Sequence, residues 1–286
     1  MSKFQILRPT TDRLGPIPVR RLLPARERLM VGPFIFMDHG GPTQVPKEFA
    51  NGVPEHPHAG LSTFTYLLAG TVLHRDSAGH FGRIEAGDIA LMTAGSGITH
   101  EERPDREDPS PYRTASFIQM WLALPDEFEE VPPDFEHHRA DTLPRLETEG
   151  ARASVLIGSA WGLSAPIQTY GDAVFVDIEC ARSSSINLPK EVDELAIYLL
   201  EGQASINDVP IEEHALAVAQ GEEPLTLFSE GGCRAIILGG ARFGSERFLG
   251  GSFVASSPEK LNALQHAYRS GSFPRIEREK PDLKSH

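Results

Sequence analysis

Short runs of apolar or alternating residues recur along the whole chain, and glycine, proline or small polar residues separate them. Alternation places every second side chain on the same face of a strand. Many short strands with turn residues between them are typical of a β-sandwich or a β-barrel. The predicted strands cover residues 34–37, 63–68, 89–92, 116–124, 173–178, 195–200, 215–218, 225–228 and 234–238.

One stretch near the end of the chain has helical spacing instead. Ser257 is a good N-cap and Pro258 a good first helical residue, while Leu261 and Leu264 follow at helical spacing and Gly271 ends the pattern. The sequence therefore predicts an all-β protein with one short C-terminal helix.

An internal repeat indicates that one unit occurs twice. The run Tyr-Leu-Leu-Ala-Gly at residues 66–70 returns as Tyr-Leu-Leu-Glu-Gly at 198–202, and a polar strand, a turn and an apolar strand follow each copy. The acidic, proline-rich stretch at 125–144 is the best candidate for a link between the copies. We therefore predict two barrel domains, at residues 1–135 and 136–286.

Four residues of the first copy have the spacing of metal ligands. His56 and His58 alternate on one predicted strand, and His100 and Glu102 alternate on a later one, so each strand presents two potential ligands on one face. Glu101 neighbours Glu102, but the alternation turns it away from His100. Three imidazoles and a carboxylate suit Fe(II), Mn, Ni, Cu or Zn better than Ca or Mg.

The remaining histidines carry weaker signals. We expect His39 to lie in a turn, and His214 lacks a histidine two residues away. The repeat offset places Leu188 and Lys190 where His56 and His58 stand, so the second domain should hold no metal. Three residues of a later strand could contribute to the pocket or to the core: Gln119, Met120 and Trp121. Solvated side chains are expected for four histidines in polar strand, turn and linker sequence: His74, His80, His137 and His138.

The overall charge narrows the range of partners. Forty acidic residues against 27 basic ones give a formal charge of −13, which opposes direct contact with nucleic-acid phosphates or an anionic membrane. No export signal or membrane-spanning apolar run is evident, and the two cysteines, Cys180 and Cys233, are expected to be buried free thiols. A cytoplasmic protein is the expectation.

The metal-ligand pattern resembles that of the cupin superfamily, and within it the pirin family. Three runs carry the likeness at the site: HPHAG at 56–60, YLLAG at 66–70 and MTAGSGITHEE at 92–102. The segments 32–38, 251–259 and 271–274 extend it from about residue 15 to about residue 275. Gly52 stands closer to His56 than the general cupin motif asks, Thr93 replaces a proline, and Ser62 and Thr63 stand where many cupins have a glutamate.

The resemblance implies two cupin-type jelly-roll barrels and one divalent transition metal, Fe(II) above the alternatives Mn, Ni, Cu and Zn. It also implies a quercetin 2,3-dioxygenase type of activity on a flavonol-like aromatic substrate with O2, in which Glu102 accepts a proton from the substrate. A second interpretation is a non-catalytic redox sensor that binds a protein partner, either a transcription factor or a metabolic enzyme. A cupin isomerase or sugar-binding protein is a third, resting on fold analogy alone.

Overall fold

The computed structural model describes residues 3–46, 52–105, 111–189, 192–221 and 223–277. The first twelve strands are β1 Phe4–Leu7, β2 Thr10–Leu14, β3 Ile17–Leu23, β4 Phe34–Pro46, β5 Val53–His58, β6 Leu61–Ala69, β7 Thr71–Asp76, β8 Phe81–Glu85, β9 Ile89–Thr93, β10 Ile98–Pro104, β11 Tyr112–Ala123 and β12 Asp134–His138. Short 3₁₀ turns at Asp126–Phe128 and Ala140–Thr142 flank β12. All nine runs predicted as strands coincide with strands, give or take a terminal residue.

The second half contributes fourteen further strands and the helix. They are β13 Arg145–Thr148, β14 Ala151–Ile157, β15 Ser159–Ala160, β16 Leu163–Ser164, β17 Ala173–Cys180, β18 Ser184–Asn187, β19 Glu194–Gly202, β20 Ala204–Ile206, β21 Val209–Ile211, β22 Leu216–Ala219, β23 Thr226–Ser229, β24 Cys233–Gly240, β25 Phe248–Gly250, β26 Phe253–Ala255 and α1 Pro258–Arg269. The Ser257 hydroxyl caps α1 by accepting from the Lys260 backbone N–H at 3.2 Å, as the sequence predicts.

The two halves repeat the same sheet topology. The seven-stranded sheets have the orders β12-β9-β6-β11-β4-β3-β2 and β1-β22-β19-β24-β17-β14-β13, and the four-stranded sheets the orders β5-β10-β7-β8 and β18-β23-β20-β21. Tyr66 lies in β6 and Tyr198 in β19, which hold the same place in their sheets. The duplication predicted from the sequence is confirmed.

Two strands join the large sheets from the start and from the middle of the chain. The first strand, β1, joins the sheet of the second half by pairing with β22, and β12 joins the sheet of the first half by pairing with β9. The stretch 125–144 is therefore more than a link, because β12 supplies a strand to the first sheet. The division at residue 135, which falls within β12, stays a prediction.

The two large sheets pack against each other through one shared core. From residue 118 onward the even-numbered side chains of β11 are buried there, with Ile118 and Met120 fully buried, and Phe64 of the first half meets Phe175 of the second at 5.3 Å between ring centres. The odd-numbered side chains of β11 face the opposite way. One side of the first sheet thus forms the core between the halves, and the other side is free to line a site.

Buried polar groups also join the halves. Tyr66 donates to Asp177 at 2.6 Å, and Arg234 donates to both of them. His39 is buried in β4 with its Nδ1 2.7 Å from the Tyr198 hydroxyl. The expectation of a turn at His39 is wrong, since β4 continues through the glycines that follow.

The C-terminal segment, residues 248–276, crosses back to the first half. Val254 donates its backbone N–H to Ala59 at 3.0 Å, and Thr99 donates its hydroxyl to the Pro274 carbonyl at 2.6 Å. Phe273 packs into the small cluster that contains Ala59. The segment therefore contacts both strands that carry the predicted metal ligands.

Two further expectations concern the thiols and membrane segments. Cys180 and Cys233 are buried and free, and they face each other across the paired strands β17 and β24. Among the described residues, no helix has both the length and the apolar character needed to cross a bilayer.

Candidate metal centre

Pairing of β5 with β10 brings three histidines together. The antiparallel register sets His56 directly opposite His100, and strand alternation puts His58 on the same face as His56. The ring centres lie 4.3 Å apart for His56 and His100, 4.9 Å for His56 and His58, and 5.0 Å for His58 and His100. One ring nitrogen from each lies within 4.8 Å of the other two.

The outer nitrogens of two of these rings have backbone partners. His56 Nδ1 lies 2.8 Å from the Pro54 carbonyl oxygen, and His58 Nδ1 lies 3.2 Å from the carbonyl oxygen of Ser252 in the C-terminal segment. A carbonyl oxygen only accepts, so each Nδ1 carries the proton and each Nε2 keeps its lone pair. Both rings are therefore oriented with an unprotonated nitrogen.

Burial keeps two of the rings neutral. It lowers the pKa of His58 and of His100 well below the usual value for histidine, and the neighbouring imidazoles lower both further. Neutral imidazole is the form that binds a metal ion, so no proton has to be removed from either ring at neutral pH.

The distance between ring nitrogens fits one shared ion. His56 Nε2 and His100 Nε2 lie 3.0 Å apart. Two nitrogens held at about 2.1 Å from one cation would be about 3.0 Å apart if they subtend a right angle at the ion, as neighbouring ligands of an octahedral site do. The donor set and its spacing therefore fit a divalent transition metal.

Glu102 is not a member of the group that the three histidines form, although it lines the same cavity. Its carboxylate falls within 4.8 Å of ring nitrogens of His100 and His74, a second group of candidate ligands that overlaps the first at His100. A bulge between His100 and Glu102 interrupts the pairing with β5. Glu101 is 2.6 Å from Arg103, with which it forms an ion pair.

His74 is a residue of this site that the sequence does not predict. It is only 2% exposed, against the expectation of a solvated side chain, and its ring stacks on Phe135 with 4.2 Å between centres. The covering ring comes from β12, in the stretch predicted as a link, which explains the error. A signal was present, because His74 and Asp76 alternate on one strand as the other ligand pairs do.

The other three histidines expected to be solvated are half-buried, and each contacts a carboxylate. His80 lies 2.9 Å from Asp76, His137 lies 2.9 Å from Asp88, and His138 lies 3.2 Å from Glu136. His214 lies apart from the metal-site histidines, 5.7 Å from His39 between ring centres. None of these contacts involves His56, His58 or His100.

The second half differs from the first at the corresponding positions. Leu188, which corresponds to His56, is buried just after β18, and Lys190 lies outside the described residues. Within the part of the chain that the structure describes, both groups of candidate ligands belong to the first half.

A cavity of about 640 Å³ opens on the three histidines. Phe36 and Trp121 stack at 4.1 Å and form one wall, and Trp121 also meets the His58 ring edge-on at 5.1 Å. Arg21 lies over Phe36 and makes two hydrogen bonds to Asp38. Gln119 and Trp121 line the cavity, while Met120, between them in sequence, is in the core.

Comparisons with known proteins agree with the repeated fold. Residues 17–122 match the family model described as Pirin, and residues 175–274 match the model described as Pirin C-terminal cupin domain. A Pirin-like protein of Caulobacter vibrioides is 36% identical over 261 residues, which is 90% of each chain.

Two solved structures extend the comparison. A structure described as quercetin 2,3-dioxygenase from Acinetobacter baumannii is 27% identical, with a TM-score of 0.87 over 99% of this chain and 97% of that one. A bacterial pirin of Escherichia coli, YhhW, in complex with nickel(II), shares the fold at 18% identity, with a TM-score of 0.64 over 84% of this chain and all of that one.

Proposed function

The chain belongs to the pirin family, with two cupin domains, and on that premise we propose that it is a metal-dependent dioxygenase that cleaves flavonols such as quercetin. We propose Fe(II) as the ion, held by His56, His58, His100 and Glu102. Mn, Ni, Cu and Zn satisfy the same donor atoms, because ligand type alone does not select among these metals. The name of the Acinetobacter relative supports the choice of reaction.

The observation that carries the proposal is the position of three imidazoles at one cavity with an aromatic wall. A volume of about 640 Å³ lies in the usual range for small-molecule sites. The Phe36 and Trp121 rings present flat faces of the kind on which a planar polyphenol stacks. A substrate held on that wall would reach the metal past His58, whose ring touches Trp121.

Each residue then has a defined task. A bound metal would act as a Lewis acid, lowering the pKa of a flavonol hydroxyl, and would make the reaction with O2 possible. The three histidines hold and orient that ion, and Glu102 accepts the proton of the hydroxyl. One O2 is consumed for each quercetin, both of its oxygen atoms enter the ring-opened product, and one ring carbon leaves as carbon monoxide.

Oxygen uptake by reconstituted protein tests this proposal. The protein is first loaded with Fe(II) under anaerobic conditions and then transferred to buffer that contains O2. When quercetin is added, the wild type should consume O2 and release carbon monoxide, and His56→Ala should do neither. The matched control is His138→Ala, which removes a histidine that pairs with Glu136 away from the site and should keep full activity.

Full metal occupancy with no turnover of any flavonol would refute the proposed dioxygenase activity. The sensor interpretation would then take its place, and it requires a protein partner whose capture differs between the Fe(II) and Fe(III) forms.

A further inference from the structure

Behind His100, away from the cavity, lies a buried histidine–carboxylate pair that the proposed reaction does not use. The side chain of His74 is 3% exposed and that of Asp76 is fully buried. Both residues belong to β7, which pairs with β10 so that Asp76 stands opposite His100 and His74 opposite Glu102. The pair therefore belongs to the same small sheet as the three metal-site histidines.

Ring nitrogens and one carboxylate oxygen form a continuous series of contacts. His100 Nδ1 is 3.5 Å from His74 Nδ1, at the long limit of a hydrogen bond, and His74 Nε2 is 3.1 Å from Asp76 Oδ2. The Nε2 of His100 is the nitrogen that faces His56. His100 thus turns one nitrogen toward the metal position and the other toward the buried pair.

Proton positions along this series follow from the donors and acceptors. If His100 Nε2 holds a metal, the ring proton is on Nδ1 and must be donated. The nitrogen that faces it, His74 Nδ1, can accept that proton only if His74 carries its own proton on Nε2. That second proton points at Asp76, which is an acceptor, so every donor meets an acceptor.

The surroundings hold this arrangement in place. Phe135 stacks on the His74 ring at an angle of 7°. The second oxygen of Asp76 accepts the backbone N–H groups of Ala78 and His80 at 2.9 and 3.0 Å. The stacking favours one plane for the His74 ring, and the two hydrogen bonds favour one orientation of the Asp76 carboxylate.

We propose that His74 and Asp76 are positioning residues for the metal, which fix the tautomer and orientation of His100 and increase its electron density. His100 differs in this respect from His56 and His58, whose outer nitrogens face neutral backbone carbonyl oxygens. A carboxylate behind an imidazole makes it a stronger ligand and favours the higher oxidation state of the metal. The inference rests on the metal site of the proposed function, but not on flavonol turnover.

Asp76→Asn is the informative substitution. The amide oxygen can keep the two backbone hydrogen bonds, while the charge is lost and an N–H₂ group faces His74 Nε2. His74→Phe is the second variant, because its ring can keep the stacking on Phe135 but has no nitrogen. The double variant, Asp76→Asn with His74→Phe, tests whether Asp76 acts through His74.

Asp88→Asn is the matched control. Asp88 is also buried, contacts His137 at 2.9 Å and accepts a backbone N–H from Ala140 at 2.9 Å, away from the metal site. Asp88→Asn therefore also removes the charge of a buried carboxylate that is hydrogen-bonded to a histidine and to the backbone, but at a place away from the metal site.

Two measurements on the full chain test the proposal: the dissociation constant for Ni(II), and the Fe(III)/Fe(II) potential. We expect Asp76→Asn and His74→Phe each to weaken Ni(II) binding by about 10- to 100-fold. We also expect a more positive potential, by about 59 mV for every tenfold change in the ratio of Fe(III) to Fe(II) affinity. The double variant should bind Ni(II) as His74→Phe does, and Asp88→Asn should match the wild type in both measurements.

Unchanged Ni(II) affinity and potential in Asp76→Asn or in His74→Phe would overturn the proposal, as would an equal effect of Asp88→Asn. Should Asp76→Asn not fold, His74→Phe decides alone. A wild-type chain that binds no transition metal would instead refute the proposed function itself, so the two failures are distinguishable.

Discussion

Replacing Gly60 with alanine should weaken both the fold and the metal site through a single contact. Gly60 has a φ of +70°, and a Cβ built on it would overlap the carbonyl oxygen of Val254 in the C-terminal segment. Two contacts next to Gly60 would be disturbed. The Ala59 carbonyl oxygen accepts the Val254 backbone N–H at 3.0 Å, and His58 Nδ1 lies 3.2 Å from the Ser252 carbonyl oxygen.

The free energy of unfolding should fall by about 4 kcal/mol, from three sources. The left-handed backbone costs about 1–2 kcal/mol for a residue with a Cβ. Moving β26 away from the new methyl group costs about 1–3 kcal/mol as overpacking. Losing the hydrogen bond between Val254 and Ala59 costs about 1 kcal/mol. Because the Ser252 carbonyl retreats with the strand, Ni(II) binding should weaken by about 10-fold or more.

Urea unfolding of the metal-free chain and calorimetric titration with Ni(II) measure the two effects. Gly162→Ala is the control, because Gly162 has a φ of +77° but no atom within 4 Å of a built Cβ. It should lose only the backbone contribution of about 1–2 kcal/mol and bind Ni(II) normally. Equal destabilisation by the two substitutions, or normal Ni(II) affinity in Gly60→Ala, would refute the reasoning.

Three further outcomes follow from buried or stacked side chains. Asp177→Ala leaves the Arg234 guanidinium without its carboxylate and should cost about 3–5 kcal/mol in urea unfolding, against about 1–2 kcal/mol for Tyr66→Phe; similar losses would contradict this. Burial lowers the pKa of His39 to about 3, so between pH 6.5 and 3 only the unfolded chain takes up the proton. His39 alone should therefore lower the free energy of unfolding by up to about 1.4 kcal/mol per pH unit below pH 6.5, and in unfolding measured from pH 7 to 5 His39→Gln should reduce the slope by that amount, leaving the contributions of His58 and His100, whose pKa values are also lowered. Trp121→Leu removes half of the stacked wall and should raise KM for quercetin about 3- to 10-fold at unchanged Ni(II) affinity; an unchanged KM would place the substrate elsewhere.

Strand alternation predicts much of this site from sequence alone. His56 and His58 share a face because they are two residues apart, and the structure pairs that face with His100 on the next strand of the sheet. The repeat at Tyr66 and Tyr198 likewise predicts the duplicated topology. Both inferences depend on local spacing, which a sequence displays directly.

The sequence does not predict which side chains are buried by residues that are distant along the chain. The sequence around His74 indicates a solvated strand residue, but the ring of Phe135, sixty-one residues further along the chain, stacks on it. His39 precedes two glycines and a proline, which indicate a turn, yet Gly40 leaves room for the Phe117 ring and the strand continues. In both cases a partner from another strand decides the environment of the histidine.

The second half contributes a contact to the candidate metal site, although its own residues at the corresponding positions differ. Its topology equals that of the first half, but Leu188 stands where the first half has His56. The C-terminal segment that follows it supplies the Ser252 carbonyl that orients His58, and the β1 strand ties the start of the chain into its sheet. A chain cut between the halves would lose that carbonyl and expose the shared core. If the ion binds as we propose, its affinity depends on the whole chain, and substitutions in the second half should change that affinity without altering a ligand.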